Sequence, residues 1–147
     1  MVFQNPEEKV IFDYLKKAKT IAIVGISSKP ERTSFLVAKE LQKAGYKIFP
    51  VNPLCEGEEI LGEKVYGSLQ EVGEHIDIVD IFRRSECLPE VARDFLTTDA
   101  EVFWAQQGLV SQEAYELLKE NGKEKIVMDK CTKIELTRLK CMEDQKL

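Results

Sequence analysis

Positive charge, histidine and long apolar runs are all scarce in this sequence of 147 residues. Lysine and arginine number 21 against 26 acids, a net charge of −5, so no basic face is expected for nucleic acid or an anionic membrane. No apolar run approaches the length of a membrane span. The first residues, MVFQNPEEKVIFDYL, carry acids where a signal peptide needs cations, and a cytoplasmic location is expected. His75 is the only histidine, and Cys55, Cys87, Cys131 and Cys141 show no C-x-x-C spacing, so no zinc site is expected and the thiols read as reduced. Dinucleotide and P-loop fingerprints are missing too: Gly25 is followed by Ile26, Ser27, Ser28, Lys29 and Pro30, without the further glycines of G-x-G-x-x-G. No Ser-His-Asp arrangement, nucleophile elbow or paired-carboxylate motif is visible.

What is present is organised around TIAIVGISSKPERTSFL, residues 20–36. Ile21, Ala22, Ile23 and Val24 form a short apolar run ending at Gly25, which suits a strand buried on both faces of a parallel sheet. Polar and turn-forming residues fill positions 27–34, where Pro30 prevents a continuous helix. From Thr33 the pattern turns helical, with Leu36, Val37, Leu41 and Ala44 on one face and Gly45 as the stop. Strand, glycine turn and helix form the first unit of a doubly wound nucleotide-binding fold, whose helix start holds phosphate. Hydroxyls of Ser27, Ser28, Thr33 and Ser34 and the cations Lys29 and Arg32 suit phosphate oxygens. The plainer alternative is an ordinary loop in which Thr33 or Ser34 caps the helix.

The rest of the chain alternates similarly. Asn5 and Pro6, followed by Glu7 and Glu8, predict a capped helix that ends near Lys19. Residues 46–51 predict a second strand in which Pro50 marks an edge position or the strand's last residues. A long loop with Gly57, Gly62 and Gly67 follows, with Ser68 as cap of a short helix through Val72. Further strands are expected at 76–82, 101–105 and 126–128, with helices from Ser85 to Leu96 and from Ser111, and a terminal helix within 131–142. The expectation is a single α/β domain over residues 1–147, a mainly parallel five-stranded sheet with helices on both faces.

In such a sheet the strand ends bring residues 25–32, Asn52 and Pro53, Arg83 and Arg84, and residues 106–108 to one edge. Amides, hydroxyls and cations together favour a small polyanionic ligand. The competing reading pairs Arg83 and Arg84 with acids such as Glu86 or Glu90. The end of the second strand holds Val51, Asn52 and Pro53 where an NAD-binding protein carries an acid, so a ligand with a phosphorylated ribose, NADP or coenzyme A, fits better.

The runs VGIS…PER.S (25–34), Gly45–Tyr46, VNP (51–53), ILGEKVYGSL, DIVDIFRRSE (77–86), WAQQG (104–108) and MDKC..IE (128–135) resemble the small single-domain CoA-binding proteins. These are similar to the CoA-binding domain of the succinyl-CoA synthetase α subunit. The resemblance covers residues 20–139 and implies a Rossmann-like, doubly wound fold with coenzyme A or an acyl-CoA across the carboxyl edge. It implies that Gly25, Ile26, Ser27, Ser28 and Arg32 meet the phosphates, with Lys29 and Ser34 beside them. Val51, Asn52 and Pro53 would take the adenine and ribose, Phe82, Arg83 and Arg84 a wall with cations, and Gln106 and Gln107 the pantetheine end. Lys130 replaces a frequent arginine and keeps its charge. The resemblance does not extend to the synthetase's phosphohistidine, which lies in a further domain, and His75 is not given that role.

A non-catalytic carrier, sensor or regulatory module is the expected function, with an unknown protein partner. The alternative is an enzyme acting on NADP or an acyl-CoA, with Cys131 near Asp129 and Glu135 as a nucleophile whose pKa Lys130 or Lys133 would lower; the plainer reading of Cys131 is a small buried thiol. Asp80 and Trp104, both in apolar strands, read as structural residues rather than as a catalyst and a stacking platform.

Overall fold

A computed structural model describes residues 1–145. Short apolar runs that end in turn residues become the parallel strands β1 (Thr20–Val24), β2 (Lys47–Val51), β5 (Ile78–Ile81), β6 (Val102–Ala105) and β7 (Ile126–Val127). Their order across the sheet is β2-β1-β5-β6-β7, and every pairing is parallel. The order reverses between β1 and β5, which makes their carboxyl ends the place where a doubly wound sheet opens a crevice.

Helices α1 (Glu8–Lys17), α2 (Thr33–Lys43) and α5 (Thr132–Gln145) cover one face, packing Phe12, Leu15, Val37, Leu41 and Leu139 against Ile21, Ile23, Ile78 and Trp104. Helices α3 (Leu88–Leu96) and α4 (Gln112–Glu120) cover the other, where Val91, Phe95, Ala114 and Leu118 meet Ala22, Val79 and Phe103. Alternate residues of each strand therefore feed two cores, which explains why the strands read as mostly apolar runs. No described helix is long and apolar enough to cross a membrane.

Four local expectations change. Asn5 does not cap α1; its amide donates to the Met128 carbonyl at 2.8 Å and its oxygen accepts from the Met128 amide at 3.0 Å, sewing the N-terminal segment onto the end of β7. Ser34 and Thr33 do not cap α2, because Arg32 occupies the cap position and the Ser34 hydroxyl accepts from the Ser27 amide across the loop. Leu36, expected on the buried face of α2, is exposed. The long loop after β2 contains an antiparallel hairpin, β3 (Glu59–Ile60) and β4 (Glu63–Lys64), and Ser68 gives no side-chain cap to the 3-10 turn Gln70–Val72. Pro50 does lie in the edge strand, and Tyr66 covers the end of that edge by donating to the Pro50 carbonyl.

Candidate functional site

The first loop is shaped by Gly25. Its φ is +86°, and a Cβ there would stand 2.7 Å from the Phe82 carbonyl oxygen and 2.9 Å from Arg83 Cγ. Glycine thus lets the turn after β1 lie directly against the turn after β5. The Gly25 amide continues the β1–β2 ladder to Val51 O at 2.8 Å, and Phe82 N donates to Val24 O at 2.8 Å. The Ser27 amide is taken by Ser34 and the Lys29 amide by the Ser27 hydroxyl. The amides of Ile26 and Ser28 donate to no acceptor among the described residues, and they stand just before the open start of α2. Ile26 is wholly buried, backbone included, so of the two amides that of Ser28 is the one in an exposed residue. Ser28, Lys29 and Arg32 are exposed, and neither Lys29 nor Arg32 pairs with an acid among the described residues.

A cleft of about 630 Å³ opens between these turns. Gly25, Val51, Asn52, Pro53, Phe82, Arg83 and Arg84 all line it, as expected from the strand ends. Asn52 is held from two sides: its Nδ2 donates to Ile26 O at 2.8 Å and its Oδ1 accepts from Leu54 N at 2.9 Å. Gly67, Ser68 and Leu69, from the end of the long glycine-bearing loop, form the far wall. Cys87, Glu90 and Asp94 line it from α3 and the turn before it, positions that helical periodicity places on one flank but that no motif marks.

Arg83 and Arg84 do have acidic neighbours, at 4.0 Å to Glu90 and 3.6 Å to Glu86. Both distances are long, and the Arg84 pair is exposed on both sides, so water competes with it effectively. Arg83 is held closer to the protein, donating to Cys87 Sγ at 3.6 Å.

A second cavity of about 530 Å³ lies beyond the same residues, lined by Phe82, Arg83 and Arg84 and by Thr33, Gln106, Gln107, Gly108, Leu109 and Cys131. The two cavities therefore meet at the Phe82–Arg84 wall. Ile26, Ser27, Ser28, Lys29, Arg32 and Ser34 line neither; they form the loop between β1 and α2. Gln107 is exposed, whereas Gln106 is turned inward to Asp80 and Thr132.

Asp80 is wholly buried, and burial pushes its carboxyl up to about 7 against the opposing hydrogen bonds from Gln106 and Thr132. Trp104 is core, donating from Nε1 to the Lys130 carbonyl at 2.8 Å. Asp129 and Glu135 do not join Cys131. Asp129 accepts from the Gly108 amide at 2.6 Å, and the buried Glu135 pairs with Arg138 at 3.1 Å.

His75 lies at the opposite, amino edge of the sheet, within 3.1 Å of Asp77, Asp99 and Glu101. Hydrogen bonds to Asp99 and then Glu101 raise its pKa to about 9. Asp77 is already engaged there, accepting from the Lys19 and Thr20 amides to start β1.

Residues 19–137 match the family described as CoA binding domain. The chain is 54% identical over 131 residues to the uncharacterized protein YneT of Bacillus subtilis, covering 89% of this chain and 95% of YneT. An ADP-forming acetate–CoA ligase of Methanocaldococcus jannaschii is 31% identical over 81 residues, 55% of this chain and 11% of the ligase. The structure of cell-free ID.343 from Thermus thermophilus superposes with a TM-score of 0.86 at 35% identity, over 91% of this chain and 99% of that one.

Proposed function

We propose that this chain, which belongs to the CoA-binding domain family, holds coenzyme A or an acyl-CoA at the carboxyl edge of its sheet and acts as a carrier, sensor or regulatory module. The observation that supports this best is the meeting of two cavities at Phe82, Arg83 and Arg84, beside the β1–β5 reversal. A nucleotide with a long flexible arm needs one recess for each part, and both recesses fall in the size range of small-molecule sites. In this reading the nucleotide phosphates take the Ser28 amide, the start of α2, and the Lys29 and Arg32 side chains. Asn52 and Pro53 flank the adenosine, while Arg83 and Arg84 turn from their long acidic contacts to the ligand. The arm then runs towards Gln106, Gln107 and Cys131.

One observation favours a second reading, an enzyme acting on an acyl-CoA: Cys131 lines the cavity in which a thioester would lie. With Asp129 bonded to Gly108 and Glu135 to Arg138, neither carboxylate is placed to activate that thiol. Calorimetric titration with CoA tests the binding reading. Arg83→Ala removes a charge-assisted donor worth about 1.5–3 kcal/mol, a loss of about tenfold or more in affinity. Unchanged affinity in both Arg83→Ala and Arg32→Ala would count against the site. Cys131→Ala keeps the CoA affinity of a binding module, whereas an enzyme using that thiol loses its turnover.

A further inference from the structure

Gln106 follows the last residue of β6 and is only 5% exposed, yet it lines the second cavity. Its Nε2 donates to Asp80 Oδ1 at 2.5 Å and to Thr132 Oγ1 at 3.0 Å. Thr132 Oγ1 donates in turn to Asp80 Oδ2 at 2.8 Å. The three side chains come from β5, the end of β6 and the first residue of α5, and they close a ring.

The protons of that ring can be followed one by one. An amide has two and a hydroxyl one, and the contacts use all three inside the ring. An ionised carboxylate only accepts, so turning the amide over would set its oxygen against Asp80 Oδ1, acceptor against acceptor. While Asp80 is ionised, the orientation of Gln106 is thereby fixed, and its Oε1 is the one atom left over. Oε1 receives no hydrogen bond among the described residues. No fully occluded side-chain polar atom lacks a partner there, so Oε1 is not wholly covered, and Gln106 is among the residues lining the second cavity.

We propose that Asp80 and Thr132 are positioning residues that hold the Gln106 carbonyl towards the second cavity, so that this cavity selects a ligand arm carrying an N–H or O–H donor. The inference rests on the CoA-binding reading, in which the amide-bearing pantetheine supplies that donor. An arm without one leaves a nearly buried acceptor unpaired, which is how a polar site rejects an apolar analogue.

The test compares CoA with adenosine 3′,5′-bisphosphate, its nucleotide end without the arm, by titration calorimetry at about pH 8.5, where Asp80 is ionised. Gln106→Met removes the acceptor, and Thr132→Val breaks the ring. Each should weaken CoA by about threefold to tenfold and leave the bisphosphate affinity unchanged. Thr132→Ser, which keeps the hydroxyl, should restore the affinity lost in Thr132→Val; general loosening of the fold would not distinguish the two ligands. Unfolding midpoints are read alongside, and if Gln106→Met does not fold, the Thr132→Val and Thr132→Ser pair decides. Equal losses for both ligands, or none for either, overturn the positioning role while CoA binding stands. Failure of the wild-type protein to bind CoA overturns the binding reading, and this inference with it.

Discussion

Asp80 and His75 lie towards opposite ends of the same stretch of chain, and each ties a proton to folding. Burial raises Asp80 from the usual 3.8 to about 7, so the folded protein holds that proton more tightly than the unfolded chain. Its contribution to stability is complete below about pH 4 and is lost as pH rises through about 7. His75 is raised from 6.5 to about 9 by its hydrogen bonds to Asp99 and Glu101, so its contribution is complete below about 6.5 and is lost as pH rises through about 9. The His75 ring is nearly half exposed, and water screens its share, so the Asp80 step should be the larger. Urea midpoints measured across both windows should fall in two steps, with Asp80→Asn flattening the lower one and His75→Gln the upper one. A wild-type profile level through both windows would show that neither proton is linked to folding.

Among the elements, the N-terminal segment shows how a local pattern can be read correctly in outline and wrongly in detail. The sequence Asn-Pro-Glu-Glu has the form of a helix start, and a helix does follow, but the asparagine bonds both backbone groups of Met128, 123 residues away. Asn5→Ala should leave those half-buried groups unpaired and cost about 1–3 kcal/mol, with faster hydrogen exchange at the Met128 amide. An unchanged melting point and exchange rate would mean that the segment adds nothing to the sheet edge. The parallel strands were legible because two covered faces make them predominantly apolar, with Asp80 the buried exception in β5. The β3–β4 hairpin was not, for two reasons: its strands are two residues each, too short to alternate visibly, and its turn begins with Leu61 at φ +55°, where asparagine or glycine is the usual signal. The plainer alternative for Ser34, a cap as serine at a helix start commonly is, fails because this hydroxyl is taken by the loop's own Ser27 amide.

For the molecule as a whole, reading where the strands end was enough to bring Gly25, Asn52, Pro53, Arg83 and Arg84 to one cleft, because a doubly wound sheet puts all those ends on one edge. The inward turn of Gln106 was not legible: it depends on Asp80 and Thr132, each 26 residues away along the chain, and no local pattern records that ring. The acids Glu90 and Asp94 on the cleft wall also emerged only when α3 was packed, and they make the cleft less positive than its strand ends alone suggest. Whether this edge reads coenzyme A is decided by a thermal-shift titration with CoA, dephospho-CoA, acetyl-CoA, NAD and NADP. A ligand that binds only the folded state, at one hundred times its dissociation constant, adds about 2.7 kcal/mol, which for a chain of this size raises the midpoint by roughly 5–10 °C. A shift of that order with CoA, well beyond the shift with dephospho-CoA and with none from the nicotinamides, is the predicted result; stabilisation by NADP alone would contradict it.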